Sequence, residues 1–302
     1  MSSINANNLI TSGITRRGFL KLLGVSGVAL GLTACGGSGQ AATSGAASTD
    51  SGVTKITVGT EGTYAPYTYL DDSNNLTGFD VELIHAIDEK LPDYEFEFQT
   101  IEWSSMFASL DADKIQMIAN QVAANDERKQ KYLFEDTPYC YSVNAIAFKK
   151  GRTDIKGIAD LHGKTVDGGT TSANTAWLEN YNAENGDPIT INYTDGDASK
   201  MLQDIVNGRA DATINSPVTI KTIVEKQGLD IDWVIFPDSG TTPIYFPFPN
   251  TDAGAKLRDA IEGAVKDLLA DGTISELSNK FLGADYSTED AVTKLAQEQQ
   301  SK

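Results

Sequence analysis

The chain has 302 residues, 40% of them hydrophobic, with 27 Gly and 9 Pro, which suits a folded protein of about two domains. Its net charge of −18 excludes nucleic acid as a partner, because phosphate binding needs a basic surface. Two cysteines (Cys35 and Cys140) and two histidines (His85 and His162) are too few and too scattered for a disulfide scaffold or a metal centre, so neither metal nor cofactor is expected.

In chain order, residues 15–21 read Thr-Arg-Arg-Gly-Phe-Leu-Lys, followed by an apolar run over 22–32 and then Thr33-Ala34-Cys35-Gly36. A basic start, a short apolar core and small residues before a boundary describe a secretory signal, and the run is too short for an ordinary membrane span. The pair Arg16-Arg17 resembles a twin-arginine signal, and Leu32-Thr33-Ala34-Cys35 resembles a bacterial lipobox, in which Cys35 is lipidated and becomes the mature N-terminus. Residues 36–53, rich in Gly, Ser, Ala and Thr, cannot bury a core and read as a flexible tether. Residues 1–35 are therefore expected to be an export signal, and the folded part to sit outside the cytoplasmic membrane on a lipid anchor.

From residue 54 strands and helices alternate. Residues 55–59 form a short strand ending in glycine. Over 80–91, Val81, Ile84, Ile87 and Leu91 recur at helical spacing until Pro92 stops the helix. Residues 94–98 alternate strictly as a strand, 103–110 read as a helix, and 116–120 are apolar enough for a buried strand. A strand over 144–149 precedes the segment 161–166, after which Gly168-Gly169-Thr170-Thr171-Ser172 opens a helix over 173–181. Helices follow at 198–206 and 218–226 around a strand at 210–214, with further strands at 233–236 and 244–248. Residues 256–269 set Leu257, Ile261, Val265 and Leu268 on one helical face, with Gly272 past the end as a C-cap, and a last helix runs through Ile274, Leu277 and Phe281. This alternation predicts an α/β fold with mainly parallel sheets, whose ligands bind beyond the carboxyl ends of strands.

Several segments, in order over residues 54–286, resemble the extracellular solute-binding proteins of family 3, the amino-acid receptors of ABC importers. They include Gly59-Thr60-Glu61-Gly62-Thr63-Tyr64-Ala65-Pro66, Gly78-Phe79-Asp80-Val81, Asn120-Gln121-Val122, Asp126-Glu127-Arg128-Lys129, Gly169-Thr170-Thr171 and Asn207-Gly208-Arg209-Ala210-Asp211-Ala212. The wording is most similar to the cystine-binding branch. The resemblance implies a two-lobed periplasmic-binding-protein fold of type II, with residues 54–140 plus 242–286 in one lobe, 141–241 in the other, two hinge strands, and 287–302 as a C-terminal tail. It further implies a monomer that binds a small molecule in its cleft and delivers it to a permease.

In the family, positions matching Tyr64 and Trp103 flank the ligand side chain, and the one matching Arg128 grips the α-carboxylate. A guanidinium offers a planar fork that fits a carboxylate, although in isolation Asp126-Glu127-Arg128-Lys129 also reads as solvated surface. Thr170 and Thr171 read as hydroxyl caps at a helix start, which can hold an anion and also serve as plain capping. Glu61 and Gln121 complete the expected ligand set, Glu61 as a ligand-facing acid or a strand-end charge.

Two departures stand out. Ala123 occupies a position where the family usually has Ser or Thr, and Asn215 stands where an Asp usually binds the α-ammonium. Asn can accept a hydrogen bond from an ammonium but supplies no countercharge. Either Glu61 or another acid substitutes, or the ligand lacks a free α-amine. An enzyme on the same fold, a dehydratase of cyclohexadienyl acids, would need a positioned acid or base, and Glu61 is the single acid assigned to the cleft. The receptor reading, without catalysis, is the expectation.

Overall fold

In the computed structural model, residues 52–235 and 240–300 are described. The expected signal, Cys35 and nearly all of the expected tether lie outside them.

The chain opens with β1 (Thr54–Thr60), a short meander of β2 (Thr63–Tyr64), β3 (Thr68–Leu70) and β4 (Leu76–Thr77), then α1 (Phe79–Lys90), β5 (Tyr94–Thr100), α2 (Trp103–Asp111) and β6 (Met117–Ile118). The strands pair in the order β5-β1-β6, all parallel, with Val58 opposite both Phe98 and Met117. Helix α1 sinks Phe79, Leu83, Ile84 and Ile87 into the core. Its entry depends on Gly78, whose φ of 126° suits glycine and whose missing Cβ leaves room for the Tyr67 carbonyl.

The chain continues through β7 (Val122–Ala123), α3 (Asp126–Lys131), β8 (Tyr132–Leu133) and β9 (Cys140–Ser142) into a second lobe. That lobe holds β10 (Ala145–Lys149), β11 (Thr165–Gly169), α4 (Ala173–Asn185), β12 (Thr190–Thr194), α5 (Ala198–Val206), β13 (Ala212–Asn215), α6 (Pro217–Gln227) and β14 (Ile231–Ile235). Its strand order is β12-β11-β13-β10-β14, parallel among β11, β12 and β13, with β10 antiparallel to both of its neighbours. Apolar clusters cover both faces, one from Met201, Leu202, Ile205, Ile220 and Ile223, the other from Ile158, Leu161 and Leu178.

The return is made by β15 (Thr242–Tyr245), which pairs antiparallel with both β7 and β9, and β16 (Phe248–Pro249), which pairs with β8. Then come α7 (Asp252–Ala270), α8 (Thr273–Leu282) and α9 (Glu289–Gln300). Helix α7 begins four residues before the predicted start, because the Thr251 hydroxyl caps the Gly254 N–H at 3.1 Å. Gly272, at φ 86°, lies just past the C-cap Asp271, where a left-handed residue ends a helix, and leads directly into α8. Leu257, Ile261, Val265 and Ile274 pack with α1 in the first lobe.

Residues 287–302, expected as a tail, need correction. They carry α9, whose Val292 is fully buried against the second lobe. The predicted strand at 233–236 is Ile231–Ile235, and Phe236 is outside the described residues.

Candidate binding cleft

The loops at strand ends of the two lobes enclose a cavity of about 130 Å³, roughly ten times what one water needs. Glu61, Tyr64, Trp103, Gln121, Arg128 and Asn215 all line it. Thr170 and Thr171 do not.

Arg128 owes its position to a short helix. The Asn125 side chain caps α3 by accepting from the Arg128 N–H at 2.9 Å, and the side chain then turns inward, leaving the residue 6% exposed. Nη1 donates to the Ala123 carbonyl and Nη2 to the Thr171 carbonyl, each at 2.7 Å, the second bond reaching across to the other lobe. The guanidinium lies 4.8 Å from the Phe107 ring centroid and 5.5 Å from that of Trp103. Burial lowers its pKa to about 10, which leaves it charged at neutral pH. Its neighbour Glu127 is exposed and bonded to Lys131 at 2.9 Å, and among the described residues no carboxylate forms an ion pair with Arg128. A buried cation without a counter-anion is costly unless something supplies the charge.

The hydroxyl caps expected at Thr170 and Thr171 belong to Ser172. Thr171 adopts a left-handed φ of 64°, so the cap falls to Ser172, whose Oγ accepts from the Thr175 N–H at 3.0 Å, and the helix starts at Ala173 as predicted. Thr170 is exposed and donates to the Thr194 carbonyl at 2.7 Å. What Thr171 offers the cleft is its carbonyl, to Arg128. Ser172, Ala173 and Asn174 line the cavity at the start of α4, where backbone N–H groups lack helical partners.

Glu61 is partly buried just past β1, in a reciprocal pair with Asn120. Its N–H donates to Asn120 Oδ1 at 2.9 Å, and its Oε2 accepts from Asn120 Nδ2 at 2.6 Å. Burial, then the nearby Asp197 and Asp195, push its carboxyl up to about 7. Gln121 has a left-handed φ of 53°, held by Asp80: Gln121 N donates to Oδ2 at 2.8 Å and Nε2 to Oδ1 at 2.7 Å. Its side-chain amide therefore serves the wall of the site. Burial raises the fully buried Asp80 to about 7.

Trp103, the first residue of α2, is 9% exposed, and its ring packs on Gly196 of the second lobe, where a Cβ would stand 2.9 Å from it. The Tyr64 hydroxyl donates to Asn215 Oδ1 at 3.0 Å, and Tyr67 and Ser216 share a hydrogen bond at 3.0 Å, both between lobes. Asn215 Oδ1 also accepts from the Ser216 N–H at 2.8 Å, so protein donors already occupy that oxygen. The carboxylates lining the cavity are Glu61 and Asp167, the latter accepting from Asn192 at 2.7 Å.

Sequence reasoning missed Asn120, Asp80, Tyr67, Ser172 and Ser216. An acid in a first helical turn, such as Asp80, looks like an ordinary N-terminal charge, and nothing local signals that it is buried. Neither histidine reaches the cavity: His85 stacks edge-on with Phe98, and His162 bonds Tyr181 at 2.8 Å. Among the described residues no group of three or more His, Cys, Asp or Glu could hold a metal ion, and no helix is long and apolar enough to cross a membrane.

The profile of the bacterial extracellular solute-binding proteins, family 3, matches residues 56–284. The L-cystine-binding protein TcyJ of Bacillus subtilis is 37% identical over 243 residues, covering 79% of this chain and 88% of that protein. The L-cystine-binding protein TcyK of the same organism is 35% identical over 264 residues, covering 85% and 93%. The solved structure of a putative L-cystine ABC transporter protein from Listeria monocytogenes aligns with a TM-score of 0.72 at 33% identity, covering 78% of this chain and 99% of that one. The chain belongs to the extracellular solute-binding proteins of family 3, with their two-lobed α/β fold.

Proposed function

We propose that this protein is the lipid-anchored receptor of an ABC importer, that it binds an amino acid, and that L-cystine is its foremost ligand. The observation that carries the reading is Arg128: a buried, charged guanidinium in the cleft wall, beside the start of α4, with no carboxylate partner among the described residues. A ligand carboxylate supplies the missing charge in a fork geometry that guanidinium favours. The cystine-binding relatives name the first ligand to try. Residues 54–140 plus 242–286 and 141–241 act as the lobes, closing on the ligand near Tyr139–Tyr141 and residues 239–242. Cys35 is the lipidated residue, and the protein works as a monomer that catalyses nothing and hands its ligand to a permease.

A second reading, a small carboxylate without an α-amine, draws on Asn215, whose side-chain oxygen is occupied by Tyr64 and Ser216. Titration calorimetry of the purified protein with L-cystine, other amino acids and amine-free carboxylates separates the two. Binding of L-cystine is expected, and saturating binding by amine-free acids alone replaces the first reading with the second. For the anchor, Cys35→Ala is expected to release the protein from the membrane fraction, and unchanged retention removes that claim.

A further inference from the structure

Tyr286 joins three parts of the molecule. Its N–H donates to Ser278 Oγ of α8 at 2.8 Å, and Ser278 is fully buried and donates to the Ala284 carbonyl at 2.7 Å. Its carbonyl accepts from the Tyr141 N–H at 2.8 Å, in the crossing strand β9. Its side chain, 5% exposed, packs with Val292 of α9 among the apolar residues of the second lobe. Just beyond, Glu289 Oε1 accepts from the Thr241 hydroxyl at 2.7 Å, immediately before the other crossing strand, β15. The segment thus bonds to both crossings and runs from the core of one lobe to the core of the other. Helix α9 lies past residue 284, where the family profile ends.

We propose that residues 283–300 are a strap over the hinge that favours the closed arrangement of the two lobes. Three residues, Gly283 to Asp285, separate α8 from Tyr286, and even fully extended they reach about 10 Å. Asp285 is further tied to Ser275 of α8 at 2.8 Å, so the segment has little slack. All these bonds exist in an arrangement in which the cleft is shut by Tyr64–Asn215, Tyr67–Ser216 and Arg128–Thr171. Swinging the second lobe and α9 away from α8 breaks the bond at Tyr141 or at Thr241, or draws Tyr286 and Val292 out of their packing. The strap therefore weights the equilibrium toward closure before any ligand arrives, which raises apparent affinity by enlarging the competent fraction.

The test uses the full chain carrying fluorotryptophan, with fluorine NMR of Trp103, whose ring touches Gly196 only when the lobes meet. The wild type is compared with Thr241→Val and with a chain ending at Ser287, all without ligand. Both variants are expected to move the Trp103 signal toward that of free fluorotryptophan. The apparent Kd for L-cystine is expected to rise roughly 3- to 10-fold as the closed fraction falls by that factor. Unchanged Trp103 signals in a folded truncated chain overturn the strap. If truncation prevents folding, Thr241→Val and Glu289→Ala decide, and wild-type signals in both overturn it. Failure of L-cystine to bind the wild type removes the proposed ligand, while the signals without ligand still judge the strap.

Discussion

Arg128 divides its donors between lobes, and that decides what its removal does. One nitrogen bonds the Ala123 carbonyl on its own side and the other the Thr171 carbonyl opposite, so the guanidinium ties the two sides of the cleft together and, in the proposed function, also meets the ligand carboxylate. Truncating a buried charged partner costs about 2–5 kcal/mol, which is roughly 30- to 4000-fold in affinity. Arg128→Ala is therefore expected to lose nearly all L-cystine binding in calorimetry. Thermal stability without ligand should change by no more than about 1 kcal/mol, because relief of the charge's desolvation offsets the two lost bonds. Arg128→Lys is expected to recover part of the loss, since an ammonium lacks the planar fork. Binding at wild-type strength by Arg128→Ala would remove the residue from the site. The place of Arg128 in the cleft wall was legible in the sequence through its motif. The Asp80–Gln121 pair was not, because it depends on a left-handed backbone 41 positions away in the chain.

At the scale of elements, legibility followed how much of each element's environment its own residues encode. Helix α1 could be read because four apolar positions repeat at its period and Pro92 follows it. The start of α4 at residue 173 was read correctly, but its cap was assigned to Thr170 and Thr171 instead of Ser172, because a left-handed threonine leaves no mark in composition. Helix α9, with the sequence EDAVTKLAQEQQ, is too polar to announce a buried face, and what it packs on belongs to the second lobe. Two glycines test the element scale directly. Gly78→Ala forces a Cβ onto the Tyr67 carbonyl at φ 126° and is expected to destabilise the protein by ~2 kcal/mol or more. Gly263→Ala, on α7 with open space around it, is expected to stabilise by roughly 0.5–1 kcal/mol. Urea unfolding checks both, and equal effects would mean that the geometry at Gly78 is relaxed.

At the scale of the whole molecule, the chain carries −18 and shelters carboxyls that have no cation beside them. Glu61 and Asp80 are both raised to about 7 by burial, from ordinary values of 4.5 and 3.8. Between those limits the folded protein binds more protons than the unfolded chain, so stability falls as pH rises through the window. Self-repulsion among the excess acids grows in the same direction. Carboxylates held low by cations act the other way, but Asp271, at about 2 beside Thr273 and Lys90, matters only at much lower pH. The unliganded protein is therefore expected to melt highest near pH 5 and to lose about ten degrees or more by pH 8. Each unit of pKa is worth about 1.4 kcal/mol, and about 1 kcal/mol moves Tm by roughly 2–4 °C at this size. Glu61→Gln keeps an acceptor for Asn120 while removing the charge, so it should flatten the slope between pH 5 and 7 without lowering Tm at pH 5. Thermal unfolding across that range decides the matter. A Tm that rises toward pH 8, or a slope unchanged in Glu61→Gln, would mean that Glu61 sits in water rather than in the wall of a closed cleft.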